Sequence, residues 1–257
     1  MVLVETRLEG GVLALTLNDP ERRNPLSAEM AAEIGQWVTR ARDDREVRCV
    51  LITGKGKAFC AGGDLEVLDT LSPAELKRFM ASSQAVTRDI AQLPVPVVMA
   101  VNGAAAGAGF SLAMSGDIVL ASETAFFLPA FSRIGAAPDL GLAHTLHRSI
   151  GLHRTSRVLL LGEALDAAAA AAAGLVSEVI PPAELEARAR QVADELAQGP
   201  TVALGLTKSL LRTAATGDLP VFLECEASAQ AIAFSTDDFR EGVAAFRERR
   251  PPRFSGS

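Results

Sequence analysis

The chain has 257 residues, 49% of them hydrophobic, enough to bury a sizeable core in one domain with a helical appendage and too apolar for a disordered chain. Its formal net charge of -6 argues against a general nucleic-acid binder, since phosphate neutralisation needs clustered Lys and Arg. No apolar run reaches the ~18 to 20 residues that span a bilayer.

The N-terminal run Met1-Val2-Leu3-Val4-Glu5-Thr6 lacks a basic segment followed by a signal core, so the expected compartment is cytoplasm with no membrane partner. Val12 to Leu17 alternates as a strand should, and Ser27 is placed to cap an amphipathic helix running through Arg42. Further strand-type runs fall at Cys49 to Thr53, Val97 to Val101, Ile118 to Ala121 and Ala125 to Leu128, several of them separated by helical stretches. That alternation predicts an α/β fold in which each turn adds strands and a helix. The alanine-rich tract from Asp166 to Ala173 predicts an ordinary helix stopped at Gly174. From about Pro182 the pattern is helical, broken at Pro200 and at Gly217-Asp218. The expected division is a core over 1–195 and a helical region over 196–257.

Two glycine-rich stretches carry the chemistry. Ala58-Phe59-Cys60-Ala61-Gly62-Gly63-Asp64-Leu65 and Val101-Asn102-Gly103-Ala104-Ala105-Ala106-Gly107-Ala108-Gly109 each follow a strand-type run and precede a segment able to start a helix. Glycines there allow sharp turns and close ligand approach. One free N–H from each loop, converging on one oxygen, makes an oxyanion hole and points to carbonyl or thioester chemistry.

Other motifs fall short. Gly107-Ala108-Gly109 has Leu112 where a dinucleotide fingerprint needs its third glycine. Gly54-Lys55-Gly56-Lys57 lacks the spacing and the hydroxyl residue of a phosphate-binding loop, and Gly109-Phe110-Ser111-Leu112-Ala113 ends in Ala where a hydrolase elbow needs Gly. His144 and His147, with His153 nearby, read as surface histidines in preference to a metal site. Cys49, Cys60 and Cys225 are odd in number and without metal-type spacing, which fits a reducing compartment. Cys60 lies beside a glycine loop but has no neighbouring His in sequence, so a structural role is expected.

The two loops, together with Asp19-Pro20-Glu21-Arg22-Arg23-Asn24-Pro25-Leu26-Ser27, Gly162-Glu163-Ala164-Leu165-Asp166, Ala173-Gly174-Leu175-Val176 and the segment from Glu241 to Phe254, resemble the crotonase superfamily of enoyl-CoA hydratases and isomerases. The resemblance runs through nearly the whole chain. It implies a right-handed spiral of ββα turns, a C-terminal helical region that supports a homotrimer or a hexamer, and an acyl-CoA thioester as substrate. It implies no cofactor beyond the substrate's coenzyme A. By the same resemblance the oxyanion donors are the N–H groups of Gly63 and Ala108. The CoA-binding residues are Arg22, Arg23, Pro25, Ala61, Gly63, Asp64, Leu65 and Ala108. Lys55 and Lys57 join Arg22 and Arg23 as candidates for a patch facing the CoA phosphates, and Asp64 is expected to cap a helix. The helix from Ser72 to Gln92 is expected to line the pocket.

Hydratases of this family use two glutamates, whose positions match Ser111 and Phe131. Neither is a carboxylate, so two-carboxylate water addition lacks both groups. The run Phe131-Ser132-Arg133-Ile134-Gly135-Ala136-Ala137-Pro138-Asp139-Leu140-Gly141 resembles instead the enoyl-CoA isomerases of the phenylacetate-pathway type, in which the matching aspartate is the acid/base. Asp139 by position alone reads as a helix cap. Loss of both glutamates with gain of this aspartate favours the catalytic role, with burial among Phe127, Leu128, Phe131 and Pro138 expected to raise its pKa. Rival readings are hydration, thioester hydrolysis, dehalogenation, which would want a histidine near Gln84, and a non-catalytic acyl-CoA-binding protein.

Overall fold

The computed structural model describes residues 2–215 and 217–257; Met1 and Thr216 lie outside the described residues. The chain opens with an antiparallel hairpin, β1 (Val4–Glu9) and β2 (Val12–Leu17), followed by helix α1 (Ala28–Asp43). Ser27 caps α1, its hydroxyl accepting from the Met30 N–H at 3.2 Å. Three turns of a repeating pattern follow. The first contains β3 (Cys49–Gly54), β4 (Ala58–Cys60), α2 (Leu65–Leu68) and α3 (Pro73–Gln92). The second contains β5 (Val97–Val101), β6 (Ala104–Ala106) and α4 (Ala108–Ala113). The third contains β7 (Ile118–Ser122), β8 (Phe126–Leu128), α5 (Leu142–Ile150) and α6 (Leu152–Leu161). The chain then continues through β9 (Leu165–Asp166), α7 (Ala167–Ala172) and β10 (Glu178–Ile180) into α8 (Leu185–Ala197), α9 (Thr201–Ala214), α10 (Leu219–Ser235) and α11 (Asp237–Glu248).

Each turn gives one strand to each of two sheets. The larger runs β1-β2-β3-β5-β7-β10 and the smaller β4-β6-β8-β9. All pairs are parallel except β1 with β2 and β8 with β9. Alternation along the strands sorts the cores. Val50, Ile52, Val97, Met99 and Val101 point into the main core with α1, whereas Val12, Cys49, Leu51, Val98 and Ala100 face α8. Helix α8 meets them with Leu185, Ala189, Ala193 and Ala197, spaced four apart on one stripe.

The turn chemistry follows the sequence. Ser72 and Glu75 form a reciprocal capping box at the start of α3, and Asp166 caps α7 by accepting from the Ala169 N–H at 2.7 Å. Gly174, at φ +81°, lies in the turn that follows α7.

Helix α9 is pinned to the link between α3 and β5 by two features. A Cβ on Gly205 would sit 2.0 Å from the Pro94 carbonyl oxygen, so only glycine permits the approach. One turn on, the Lys208 ammonium, 6% exposed, pairs with Asp117 Oδ2 at 2.7 Å and donates to the carbonyls of Ile90 and Val95 at 3.1 Å each. Asp117 also accepts from the Val97 N–H at 2.8 Å. Lys208→Ala strands two carbonyls and a carboxylate, and is expected to cost about 3 kcal/mol. Denaturant unfolding would measure it, and a loss below about 1 kcal/mol would contradict this account of the contact.

Candidate active site

Strands β4 and β6 are parallel neighbours, so the two glycine loops leave the same edge of the small sheet and meet there. Gly62 at φ +101° and Gly107 at φ +50°, ψ -120° hold conformations that side chains rarely adopt. A Cβ on Gly62 would stand 2.8 Å from the Ala106 carbonyl oxygen and 3.6 Å from the Ala108 nitrogen. One on Gly109 would stand 2.1 Å from the Cys60 carbonyl oxygen. The glycines are thus what lets the loops touch. Ala108 is the first residue of α4, where no intrahelical acceptor exists for its N–H. Among the described residues, neither Ala108 nor Gly63 donates its amide to any protein acceptor. Two unspent donors on adjoining loops can stabilise an oxygen that gains negative charge.

The segment Arg23 to Leu26 runs beside the first loop. The Ala61 N–H donates to the Arg23 carbonyl at 2.9 Å, and the Leu26 N–H to the Gly62 carbonyl at 2.7 Å. Pro25 is buried, and Leu65, the first residue of α2, is half exposed. Asp64 stands at the N-cap position of α2, but its side chain does not cap that helix. The expectation of a capping side chain is therefore corrected: the carboxylate instead takes the Arg22 guanidinium at 2.5 Å, a bond that holds its pKa below the ordinary range. Arg22 lies also 3.8 Å from Asp19, and Lys55 pairs with Glu5 at 2.6 Å. Of the four cations expected to form a basic patch, only Arg23 and Lys57 are free of an ion pair among the described residues.

Sequence reasoning missed Asn24. It is wholly buried with φ +55°, its amide donates to the Lys55 and Ala58 carbonyls at 3.0 and 2.9 Å, and its oxygen accepts from the Asp19 N–H at 2.8 Å. Asn tolerates that left-handed backbone better than most residues, and these bonds fix the Arg23 loop against the first glycine loop.

Asp139 reaches the same place from the third turn. The Ser111 hydroxyl, on the face of α4 one turn beyond Ala108, donates toward the Asp139 carbonyl at 3.2 Å and its Oδ1 at 3.4 Å. The capping alternative does not hold. Helix α5 is preceded by Gly141 at φ +84° as its N-cap, and the Leu142 N–H bonds to the backbone carbonyl of Asp139 and not to its carboxylate. Burial raises the Asp139 pKa to about 6, against a smaller opposing pull from the Ser111 hydrogen bond. Of the four residues expected to surround Asp139, Phe127 and Phe131 are buried and Leu128 half-buried, whereas Pro138 is exposed, as are residues 132–137; Leu140, next to Asp139 in the chain, is buried. Leu140 is buried at φ +46°, a strained setting for a branched side chain that its anchorage maintains beside the carboxylate.

Phe131 also lies close to the second loop, its ring 4.0 Å from where a Gly107 Cβ would stand. Ser111 and Phe131, the positions where the sequence resemblance would place hydratase glutamates, therefore both border the Gly107 loop and supply a hydroxyl and a phenyl ring. A cleft of about 1050 Å³ opens against Ser111 and Leu140 and is walled by Gln84, Thr87 and Arg88 of α3 and by Lys208 of α9; Asp139, Gly63 and Ala108 are not among its lining residues. Burial pushes the Cys60 thiol up to about 11, which keeps it protonated and unreactive. His144 Nε2 lies 3.3 Å from the Arg148 guanidinium, and among the described residues no three His, Cys, Asp or Glu side chains converge as a metal site.

With this geometry in place, the sequence comparisons identify the class: the profile described as Enoyl-CoA hydratase/isomerase matches residues 7–257, and the chain belongs to that family. It is 40% identical over 263 residues to the 1,2-epoxyphenylacetyl-CoA isomerase of Escherichia coli, covering 100% of this chain and 99% of that one. It is 32% identical over 243 residues to the short-chain-enoyl-CoA hydratase of Clostridium acetobutylicum, covering 94% and 93%. The crystal structure of an enoyl-CoA hydratase from Polaromonas sp. JS666 superposes with a TM-score of 0.94 at 34% identity, covering 98% and 99% of the two chains. The crotonase-type spiral is thus the fold of this protein.

Proposed function

We propose that the protein is an enoyl-CoA isomerase that moves a carbon–carbon double bond from the 3,4 to the 2,3 position of an acyl-CoA thioester. The observation that carries this reading is a single raised, partly buried carboxylate, Asp139, tied through Ser111 to the helix whose first amide is Ala108. Ionised Asp139 removes a proton from C2. The electrons pass into the thioester, and the oxygen of the resulting dienolate is held by the Gly63 and Ala108 amides. Protonated Asp139 then returns the proton to C4, leaving the double bond conjugated with the carbonyl. A proton affinity near that of a pKa of about 6 suits both steps, because the group is ionised at neutral pH yet a stronger base than a free carboxylate.

Hydration needs a second carboxylate to activate water, and Ser111 and Phe131 stand where the hydratases place theirs. Dehalogenation is disfavoured because no histidine stands near Gln84 in the sequence, where the resemblance would place the histidine base. No cofactor takes part in the proposed reaction beyond the coenzyme A of the substrate. Mass spectrometry separates the two main outcomes, since hydration adds water and isomerisation does not. A 3-enoyl-CoA is expected to be isomerised far faster than a 2-enoyl-CoA is hydrated; comparable or faster hydration would overturn the reading.

The same reading includes assembly. Leu219, Val221, Leu223, Ile232 and Phe234 leave α10 with exposed apolar residues on more than one side, which supports association into a trimer or a dimer of trimers. Light scattering at micromolar concentration is expected to give one of those masses, and a stable active monomer would contradict it.

A further inference from the structure

Ser111 is 2% exposed, and its hydroxyl has one hydrogen for three acceptors: Asp139 Oδ1 at 3.4 Å, the Asp139 carbonyl at 3.2 Å and the Gly107 carbonyl at 3.3 Å. The last of these is one end of a single peptide group whose other end is the Ala108 N–H. Whatever bonds to the Gly107 oxygen therefore acts on the proposed oxyanion donor. We propose that Ser111 is a positioning residue that couples the proton carried by Asp139 to the donor strength of the Ala108 amide. The inference rests on the isomerase reading and adds a residue to it.

The coupling follows from which group can donate at each stage. While Asp139 is ionised it is an acceptor only, and its charge makes it the preferred partner of the hydroxyl hydrogen. After Asp139 takes the C2 proton, the carboxyl group has a hydrogen of its own and no net charge. It can then donate to the Ser111 oxygen, and the Ser111 hydrogen is released to the Gly107 carbonyl. A hydrogen bond accepted at the C=O end of a peptide polarises the group and strengthens its N–H as a donor. The Ala108 amide thus becomes a better donor in the state in which the dienolate oxygen exists. The Gly107 carbonyl already accepts the Phe110 and Ser111 N–H groups at 3.0 and 3.2 Å, so the hydroxyl adds to an amide that is partly polarised by the helix itself.

A serine hydroxyl that bonds back to the carbonyl four residues earlier is also an ordinary helix feature, and the test must separate the two. Ser111→Ala keeps the helix, since Ala is the better helix former, and removes only the hydroxyl. The test measures kcat, KM and the pH dependence of kcat/KM for isomerisation of a 3-enoyl-CoA by the parent, Ser111→Ala, Ser111→Thr and Asp139→Asn enzymes. The ionised carboxylate loses a donor in Ser111→Ala, so the acidic limb of kcat/KM is expected to move up by roughly half to one pH unit. kcat is expected to fall roughly tenfold, less than for loss of a whole oxyanion donor, with KM within about twofold. Ser111→Thr, which keeps the hydroxyl, is expected to return the limb toward its parental position. A Ser111→Ala enzyme with the parental limb and kcat, alongside an inactive Asp139→Asn enzyme, would overturn the coupling and leave the isomerase reading standing. An Asp139→Asn enzyme that still turns over would overturn the reading itself.

Discussion

Asp139→Asn is expected to fold, to bind acyl-CoA about as well as the parent, and to lose at least ~100-fold in kcat, the lower range for removal of a general acid–base. The amide keeps the size of the side chain and can still meet the Ser111 hydroxyl, but it cannot take a proton. In the parent, kcat/KM is expected to rise with pH through about 6, where Asp139 ionises, and to level off above it. The substitution also has a signature in stability. Folding raises the Asp139 pKa from its ordinary 3.8 to about 6, so the folded state disfavours the ionised form. The stability associated with this group is fully present below pH ~4 and is lost as pH rises through about 6. At pH 7 the Asn variant, which carries no charge to desolvate, is expected to be more stable than the parent by up to ~3 kcal/mol, at ~1.4 kcal/mol per pK unit. The difference is expected to close near pH 4. Denaturant unfolding at the two pH values measures it, and a variant that is less stable at neutral pH would mean that the carboxylate serves the fold.

Ala108→Pro is expected to lower kcat/KM by about 10² to 10³, the effect of losing one oxyanion donor, or roughly 3 to 4 kcal/mol in the transition state. Proline is tolerated at the first position of a helix, where the missing N–H has no helical partner in any case, so α4 should still form. Ala108→Gly, which keeps the donor, is expected to stay within a few-fold of the parent. Circular dichroism and steady-state kinetics on both variants read the comparison. A folded proline variant within tenfold of the parent would remove Ala108 from the proposed hole.

The sequence made much of this arrangement legible, for identifiable reasons. The glycine loops are visible because their chemistry is local: at Gly62 and Gly109 an added side chain would strike backbone, and Gly107 holds a backbone conformation that other residues rarely adopt. The Ser27 cap and four strands of the large sheet, β2, β3, β5 and β7, follow from short-range pattern in the same way. Strand β1 escaped notice because only Val4 of its six residues is buried, leaving too little alternation to read. The three-residue strands β4 and β6 hide inside the glycine-rich stretches that end them. Asn24 and Lys208 are not legible from spacing, since the carbonyls to which the Asn24 amide donates lie 31 and 34 positions away and the partners of Lys208 lie 91 to 118 positions away. The Asp64 contact is hidden for the same reason, because the guanidinium that its carboxylate takes belongs to Arg22, 42 residues earlier. Two local signals for Lys208 and Asn24 are present in the sequence. A lysine followed by a hydrophobic stretch in α9 gives no hint of burial, but Gly205 three residues earlier marks a close approach of that helix to the core. Asn24, flanked by Arg23 and Pro25, is a residue type suited to a left-handed turn.

The central claim is that one carboxylate carries the proton from C2 to C4, and the most direct test follows that proton. A 3-enoyl-CoA deuterated at C2 is converted in ordinary water under single-turnover conditions, and the product is analysed by mass spectrometry and NMR. The account predicts a 2-enoyl-CoA of unhydrated mass in which part of the deuterium has moved to C4. A product whose C4 hydrogen comes wholly from solvent in the first turnover, or one that has gained water, would contradict it.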